Sequence, residues 1–195
     1  MDNNDLSQKL NEKLGIEKEP VAIKVYDDVA CAEKELAKYD GQARHCQLTF
    51  ESSTQEKSFY ATVNEMNCPN GALALGFTDK KTDAFPQIPP VKQALGYSPL
   101  KNATFQPDVI IIYATPVQAM EIAKLYKFTF KKRFEANFNG TASLCADAVS
   151  SPYTTGKSNM TLGCTGSRTF SDIKDEEMVI GLTYSDAVAL FEDKE

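Results

Sequence analysis

A chain of 195 residues that is 42% hydrophobic and 25% charged, with no Trp, can bury one sizeable core and fits one domain over 1–195 better than two. Its 21 basic against 27 acidic residues, a formal net charge of −6, argue against nucleic acid and anionic membrane as partners, because both are held largely by Lys and Arg. The longest purely apolar run, residues 109–113, is far short of the roughly 20 residues of a spanning helix, and the acidic start MDNNDLSQKL is no secretory leader, so the reading is cytoplasmic.

Leu6, Leu10 and Leu14 recur every four residues before Gly15 and predict an amphipathic helix with a glycine stop. Past Pro20, residues 21–26 put Val21, Ile23 and Val25 on one face of a strand, and Phe59, Ala61 and Val63 alternate likewise. Segments 27–41, 51–57 and 78–99 are polar or rich in breakers, the last with one helical turn expected around Val91 to Leu95. Residues 107–116 read as a strand buried on both faces that runs into a helix capped by Thr115 with Pro116 in its first turn. In that helix Gln118, Glu121, Lys124 and Lys127 mark one narrow wet stripe, leaving Val117, Met120, Ile122, Ala123, Leu125 and Tyr126 to be buried. Asn139-Gly140 predicts a turn, 143–149 a short helix and 178–183 a central strand; Ser185 is expected to cap a closing helix that buries Val188, Leu190 and Phe191. The pattern is α+β: a single mixed-sheet domain with interleaved helices.

Two apparent motifs dissolve on inspection. Gly156-Lys157-Ser158 lacks the glycine that a phosphate loop needs at position 151, which is Ser151, and the asparagine sequons at 102, 139 and 159 have no leader to bring them to glycosylation. His45 is the only histidine, which excludes His-rich metal sites. It stands beside Cys46, but neighbours on an extended chain point to opposite faces, so the pair reads as a polar residue tuning a site and not as a ready dyad.

The five cysteines are the informative feature, since a reducing compartment disfavours structural disulfides and an odd count leaves one over. Cys31 lies in a Glu- and Lys-rich run and reads as a small apolar residue. Cys46, Cys68, Cys145 and Cys164 each stand at an element boundary or in a glycine-rich turn, where backbone N–H groups stabilise a thiolate, with Arg168 close in sequence to the last. Four thiolates suit an iron–sulfur cluster or a tetrahedral zinc ion. Against both, the spacings contain no C-x-x-C pair, which leaves four separately packed cysteines equally open.

Pro20-Val21-Ala22-Ile23-Lys24, Cys46-Gln47, Cys68-Pro69-Asn70-Gly71-Ala72, Pro107-Asp108-Val109, Thr115-Pro116-Val117-Gln118-Ala119-Met120, Cys145-Ala146-Asp147, Pro152-Tyr153 and Gly163-Cys164-Thr165-Gly166-Ser167-Arg168 together give the chain a recognisable order. From about Pro20 to Leu190 it resembles the domain of unknown function family 169, the ArCR-like proteins of archaea and anaerobic bacteria. Asn70 departs from the looser family pattern, where a glycine often stands beside the cysteine-proline pair. The resemblance implies a cytoplasmic prokaryotic protein, an anaerobic setting, and Cys46, Cys68, Cys145 and Cys164 as one shared feature with Cys31 outside it. That setting favours a 4Fe–4S cluster on the four cysteines, with N–H groups from the Gly163 and Gly166 turn and the charge of Arg168 raising its potential. The expected role is electron transfer or an accessory module, with a redox partner protein or small molecule, or a homodimer completing the site. Two alternatives use the same residues: a zinc or small-ligand domain without redox activity, and a cysteine enzyme with Cys46 or Cys164 as nucleophile and Arg168 binding an anionic substrate.

Overall fold

The computed structural model describes residues 1–90, 93–138 and 140–192. The turn expected at Asn139 and the start of the one expected at Val91 lie outside the described residues. Strands β1 (Val21–Tyr26), β2 (Phe59–Ala61), β3 (Ala94–Pro99), β4 (Val109–Ala114), β5 (Asn159–Thr161) and β6 (Met178–Thr183) form one sheet in the order β2-β3-β1-β4-β6-β5. Every neighbouring pair of strands is antiparallel, so the α+β class stands and the sheet is antiparallel throughout and not mixed.

Residue alternation along these strands divides the core into two layers. Val21, Ile23, Tyr97, Val109, Ile111, Tyr113 and Val179 face one side, where α3 (His45–Gln55), α4 (Pro69–Ala74) and a π-helix (Ser143–Ser150) cover them. Ala22, Ile110, Ile112, Ile180 and Leu182 face the other, under α1 (Asn3–Leu14), α5 (Pro116–Phe130) and α8 (Tyr184–Phe191). Ile110, Ile111 and Ile112 are wholly buried, each worth about 2 kcal/mol of apolar burial, which explains the uninterrupted apolar run in the sequence. A smaller helix, α2 (Val29–Glu35), packs Ala32 against Tyr26, Tyr60 and Ala94 at the β2 end of the sheet.

Several local readings hold. Gly15 closes α1 in the left-handed conformation, and Thr115 caps α5 with Pro116 in its first turn. Others change. Val117 and Met120 are 67% and 49% exposed, because α5 packs inward through Ala119 and Ile122, with Leu125, Tyr126 and Phe130 partly buried beside them. The cap of α8 is Thr183, whose Oγ1 accepts from the Asp186 N–H at 3.1 Å, and Ser185 lies inside the helix. β2 stops at Ala61 because Thr62 turns onto Glu65, giving its N–H and hydroxyl to one carboxylate oxygen at 2.8 and 2.7 Å. Val63 is thereby left exposed.

The π-helix continues into α6 (Ser151–Thr155), which ends at left-handed Gly156. Gly156-Lys157-Ser158 is therefore a helix terminus, with the Ser158 hydroxyl donating to Asp186 at 2.6 Å. Pro152 has no N–H for the carbonyl five residues back, and Asn159 Nδ2 donates to that Asp147 carbonyl at 2.9 Å instead. Among the described residues, no helix is long and apolar enough to cross a membrane.

Candidate cysteine site

Four chain segments distant in sequence bring Cys46, Cys68, Cys145 and Cys164 to the wall of one cavity of about 290 Å³, on the sheet face that carries α3, α4 and the π-helix. Each segment presents its helix start. Cys46 is in the first turn of α3, where the Arg44 N–H donates to the Gln47 side chain at 3.0 Å. Cys68 is the N-cap of α4, with Pro69 in its first turn. Cys145 is the third residue of the π-helix, entered through left-handed Ala142, and its thiol donates to the Ala142 carbonyl at 3.1 Å. Cys164 is the N-cap of α7 (Thr165–Phe170). Its Sγ accepts from the Ser167 N–H at 3.4 Å while its own N–H donates to the Ser167 hydroxyl at 2.9 Å, a reciprocal cap in which a thiol takes the usual hydroxyl position.

These environments set different protonation. Burial pushes the Cys46 thiol up to about 11, helped by Cys164 and Cys68 nearby, and burial with the other cysteines holds the Cys145 thiol well above its ordinary value. Burial also opposes ionisation of Cys164, but N–H donors from Ser167, Ser143 and Gly166 and the Ser167 hydroxyl outweigh it and bring that thiol below the ordinary value. The site thus combines one thiol prepared for ionisation with two that ionise only when a positive centre or another favourable group joins them. Cys31 is exposed and does not line the cavity.

Of the two glycines and one arginine expected to serve the site, Gly166 lines the cavity and Gly163 does not. Gly163 adopts φ +83° and has Ser167 Oγ only 2.9 Å from where a Cβ would stand, so it shapes the turn behind Cys164. The Arg168 guanidinium is absent from the lining. It donates to the carbonyls of Leu162 (2.6 Å), Lys174 (2.5 Å) and Glu177 (2.7 Å), clamping α7 to the segment that leads into β6. The cationic side chain on the cavity is Arg44, which stacks on Phe170 with 4.1 Å from guanidinium carbon to ring centre and so ties α3 to α7. Arg168→Lys keeps the charge but loses the planar fork, and is expected to lower stability by about 2 kcal/mol in urea unfolding. An unchanged midpoint would show that the carbonyl clamp contributes little.

Sequence reading placed His45 beside the site but not its packing. His45 opens α3, is 2% exposed, and has Nδ1 2.8 Å from the hydroxyl of fully buried Tyr97. Burial pushes its pKa down to about 3. The unfolded chain takes up this proton near pH 6.5 and the folded chain only near 3, so the neutral ring's contribution to stability is complete above pH 6.5 and falls as pH drops through that window. For the metal-free chain, His45 is expected to account for about 2 kcal/mol of the stability lost between pH 7 and 5. The difference between wild type and His45→Gln in urea unfolding at the two pH values measures it, and equal losses would mean that the ring is solvated.

Among the described residues, no group of three or more His, Cys, Asp and Glu side chains is placed to hold a metal ion. A single zinc ion, about 2.3 Å from each thiolate, has no ready tetrahedron there.

Residues 9–193 match the family described as uncharacterised ArCR, domain of unknown function 169, and the chain belongs to that family. It is also similar to an uncharacterised protein of Methanocaldococcus jannaschii, 34% identical over 208 aligned residues that cover 92% of this chain and 89% of the relative. No solved structure matches the chain.

Proposed function

We propose that the chain binds an iron–sulfur cluster through Cys46, Cys68, Cys145 and Cys164 and serves in electron transfer or as a cluster-dependent accessory module. The observation that carries this reading is the convergence of these four cysteines, from four helix starts, on one cavity. The donor set supports it: among the described residues the lining contains four thiols and no carboxylate, a soft sulfur environment that suits iron–sulfur and thiophilic metals and disfavours hard oxygen-seeking cations. A polynuclear group also reconciles four converging thiols with the absence of a single-ion site among the described residues, because each iron takes its own thiolate. Such a cluster, when bound, supplies a one-electron couple.

The chain's own groups support that chemistry. The N–H donors at Cys164 stabilise sulfur charge, Arg44 adds a cation at the rim, and the buried Cys46 and Cys145 side keeps water from the sulfurs. A second reading draws on the lowered pKa of Cys164 alone, which fits a nucleophile. Alkylation under oxygen-free conditions separates the two. After reconstitution with iron and sulfide, iodoacetamide is expected to label Cys31 and spare the other four, with a broad visible absorption; in the metal-free chain Cys164 joins Cys31. Continued rapid labelling of Cys164 in a colourless protein after reconstitution overturns the cluster reading in favour of the nucleophile.

A further inference from the structure

The mouth of the cavity carries hydrogen-bonding groups that the fold leaves unused. Cys46 and Cys145 are 8% and 7% exposed and stand deep, whereas Cys68 and Cys164 are half-buried, so the opening lies on their side. Three polar side chains flank cysteines in the lining: Arg44 two residues before Cys46, Asn70 two after Cys68, and Thr165 directly after Cys164. Asn70 and Thr165 are exposed and Arg44 is half-buried, so all three can be reached from solvent. Among the described residues, the Arg44 guanidinium, the Asn70 amide and the Thr165 hydroxyl make no hydrogen bond and no ion pair.

The two arginines of this region differ in what they have left to offer. Arg168 spends its fork on three backbone carbonyls. Arg44 is held by the face of its plane, against the Phe170 ring at 4.1 Å, and that contact uses none of its N–H donors. Stacking fixes the plane of the guanidinium and leaves its edge free for a pair of oxygens. Among the described residues the lining has no carboxylate to neutralise it. An unpaired cation beside two further donors, on a walled cavity, is complementary to an oxyanion.

We infer that this mouth binds a small oxyanion, of the carboxylate or phosphate kind, with the Arg44 fork carrying its charge and the Asn70 amide and Thr165 hydroxyl donating to its remaining oxygens. The inference rests on the cluster reading for its purpose: the oxyanion is the small molecule brought beside the cluster, and these three residues select it. A cavity of about 290 Å³ that also holds a cluster has room for a ligand of a few heavy atoms and none for a nucleotide. Thiolate sulfurs make the floor negative, so an anion stays only where the guanidinium offsets them. Loss of that charge therefore outweighs loss of either neutral donor.

Titration of the metal-free chain with sodium oxalate and with sodium phosphate at constant ionic strength, followed by ¹H–¹⁵N spectra, tests this without iron. At least one of the two anions is expected to shift the Arg44 Nε–H and the Asn70 side-chain amide signals saturably, and the tighter of them assigns the site to planar carboxylates or to phosphates. Oxamide, the uncharged counterpart of oxalate, is expected to bind more weakly than the better anion by about tenfold, Arg44→Gln to weaken that anion by a similar factor, and Asn70→Ala by about threefold. If Arg44→Gln does not fold, Asn70→Ala decides, because its side chain has no partner in the fold to lose. No saturable shift with either anion, oxamide binding as tightly as the better anion, or an affinity unchanged in the folded variants overturns the inference while the cluster reading stands. A chain that binds the anion through Arg44 but takes up neither iron nor sulfide overturns the cluster reading and leaves the oxyanion site in place.

Discussion

Replacing any one of Cys46, Cys68, Cys145 or Cys164 by serine is expected to strip the chain of bound iron, while Cys31→Ser leaves iron content at the wild-type level. The contrast follows from position: the four line one cavity and Cys31 is exposed away from it. Serine is close in size to cysteine, and its hydroxyl can take over local bonds such as that from Cys145 to the Ala142 carbonyl. What it cannot supply at neutral pH is the anionic sulfur that iron binds. Circular dichroism of the metal-free variants checks that the fold survives. Uniform iron loss with an intact fold supports a shared site. Iron retained by two or more of the four serine variants contradicts it, and iron lost from Cys31→Ser breaks the division of the five cysteines.

Gly181→Ala is expected to destabilise the metal-free chain by about 3 kcal/mol or more and to abolish iron uptake with it. Gly181 lies in the middle of β6, paired with Ile111 on one side and Asn159 on the other. A Cβ there would stand 1.9 Å from the Ala148 carbonyl oxygen, 2.7 Å from its carbon and 3.0 Å from the Ala148 Cα. Those are backbone atoms of the π-helix, so no side chain can swing aside. The helix must lift from the sheet, and it carries Cys145 on the cavity wall as well as the Ser150 hydroxyl that donates to the Ala74 carbonyl of α4 at 2.7 Å. Gly156→Ala is the comparison: its φ of +66° costs an alanine about 1 kcal/mol, but no heavy atom stands within 4 Å. Urea midpoints rank the two. A Gly181→Ala chain no less stable than Gly156→Ala would mean that the π-helix does not rest on β6.

The elements that were legible in the sequence are those whose burial is one-sided or total. Leu6, Leu10 and Leu14 announce α1, and the buried run of β4 announces itself by having no polar position. α3 was hidden because its inward positions include Thr49, Ser52 and Ser53 where a pattern reading expects apolar residues. Thr49 makes itself acceptable by donating to the carbonyl of His45 one turn back, at 2.9 Å, a local bond that no hydrophobic periodicity records. β3 was hidden inside a proline-rich stretch, and Gly96 interrupts its apolar positions; β1 and β2 pair on either side and hold it extended. It contributes Tyr97, which explains why the support beneath His45 could not be read.

The site itself was half legible. Local chemistry marked the four cysteines as lying at helix starts and tight turns, but spacings with no C-x-x-C pair carry no information on whether such turns meet. Meeting depends on α3, α4 and the π-helix sharing one sheet face, a long-range fact. Arg168 shows the opposite error: nearness in sequence to Cys164 suggested a charge for the site, whereas its guanidinium fork is occupied by backbone carbonyls. Arg44, far from Cys164 in the chain, reaches the cavity because α3 packs beside α7.

Native mass spectrometry of the chain purified without oxygen tests the central claim most directly. The expected spectrum shows one chain carrying a mass increment of four irons and four sulfides, lost on exposure to air and absent from Cys46→Ser. A spectrum of the bare chain, or of the chain with a single zinc ion, from oxygen-free cells supplied with iron contradicts it.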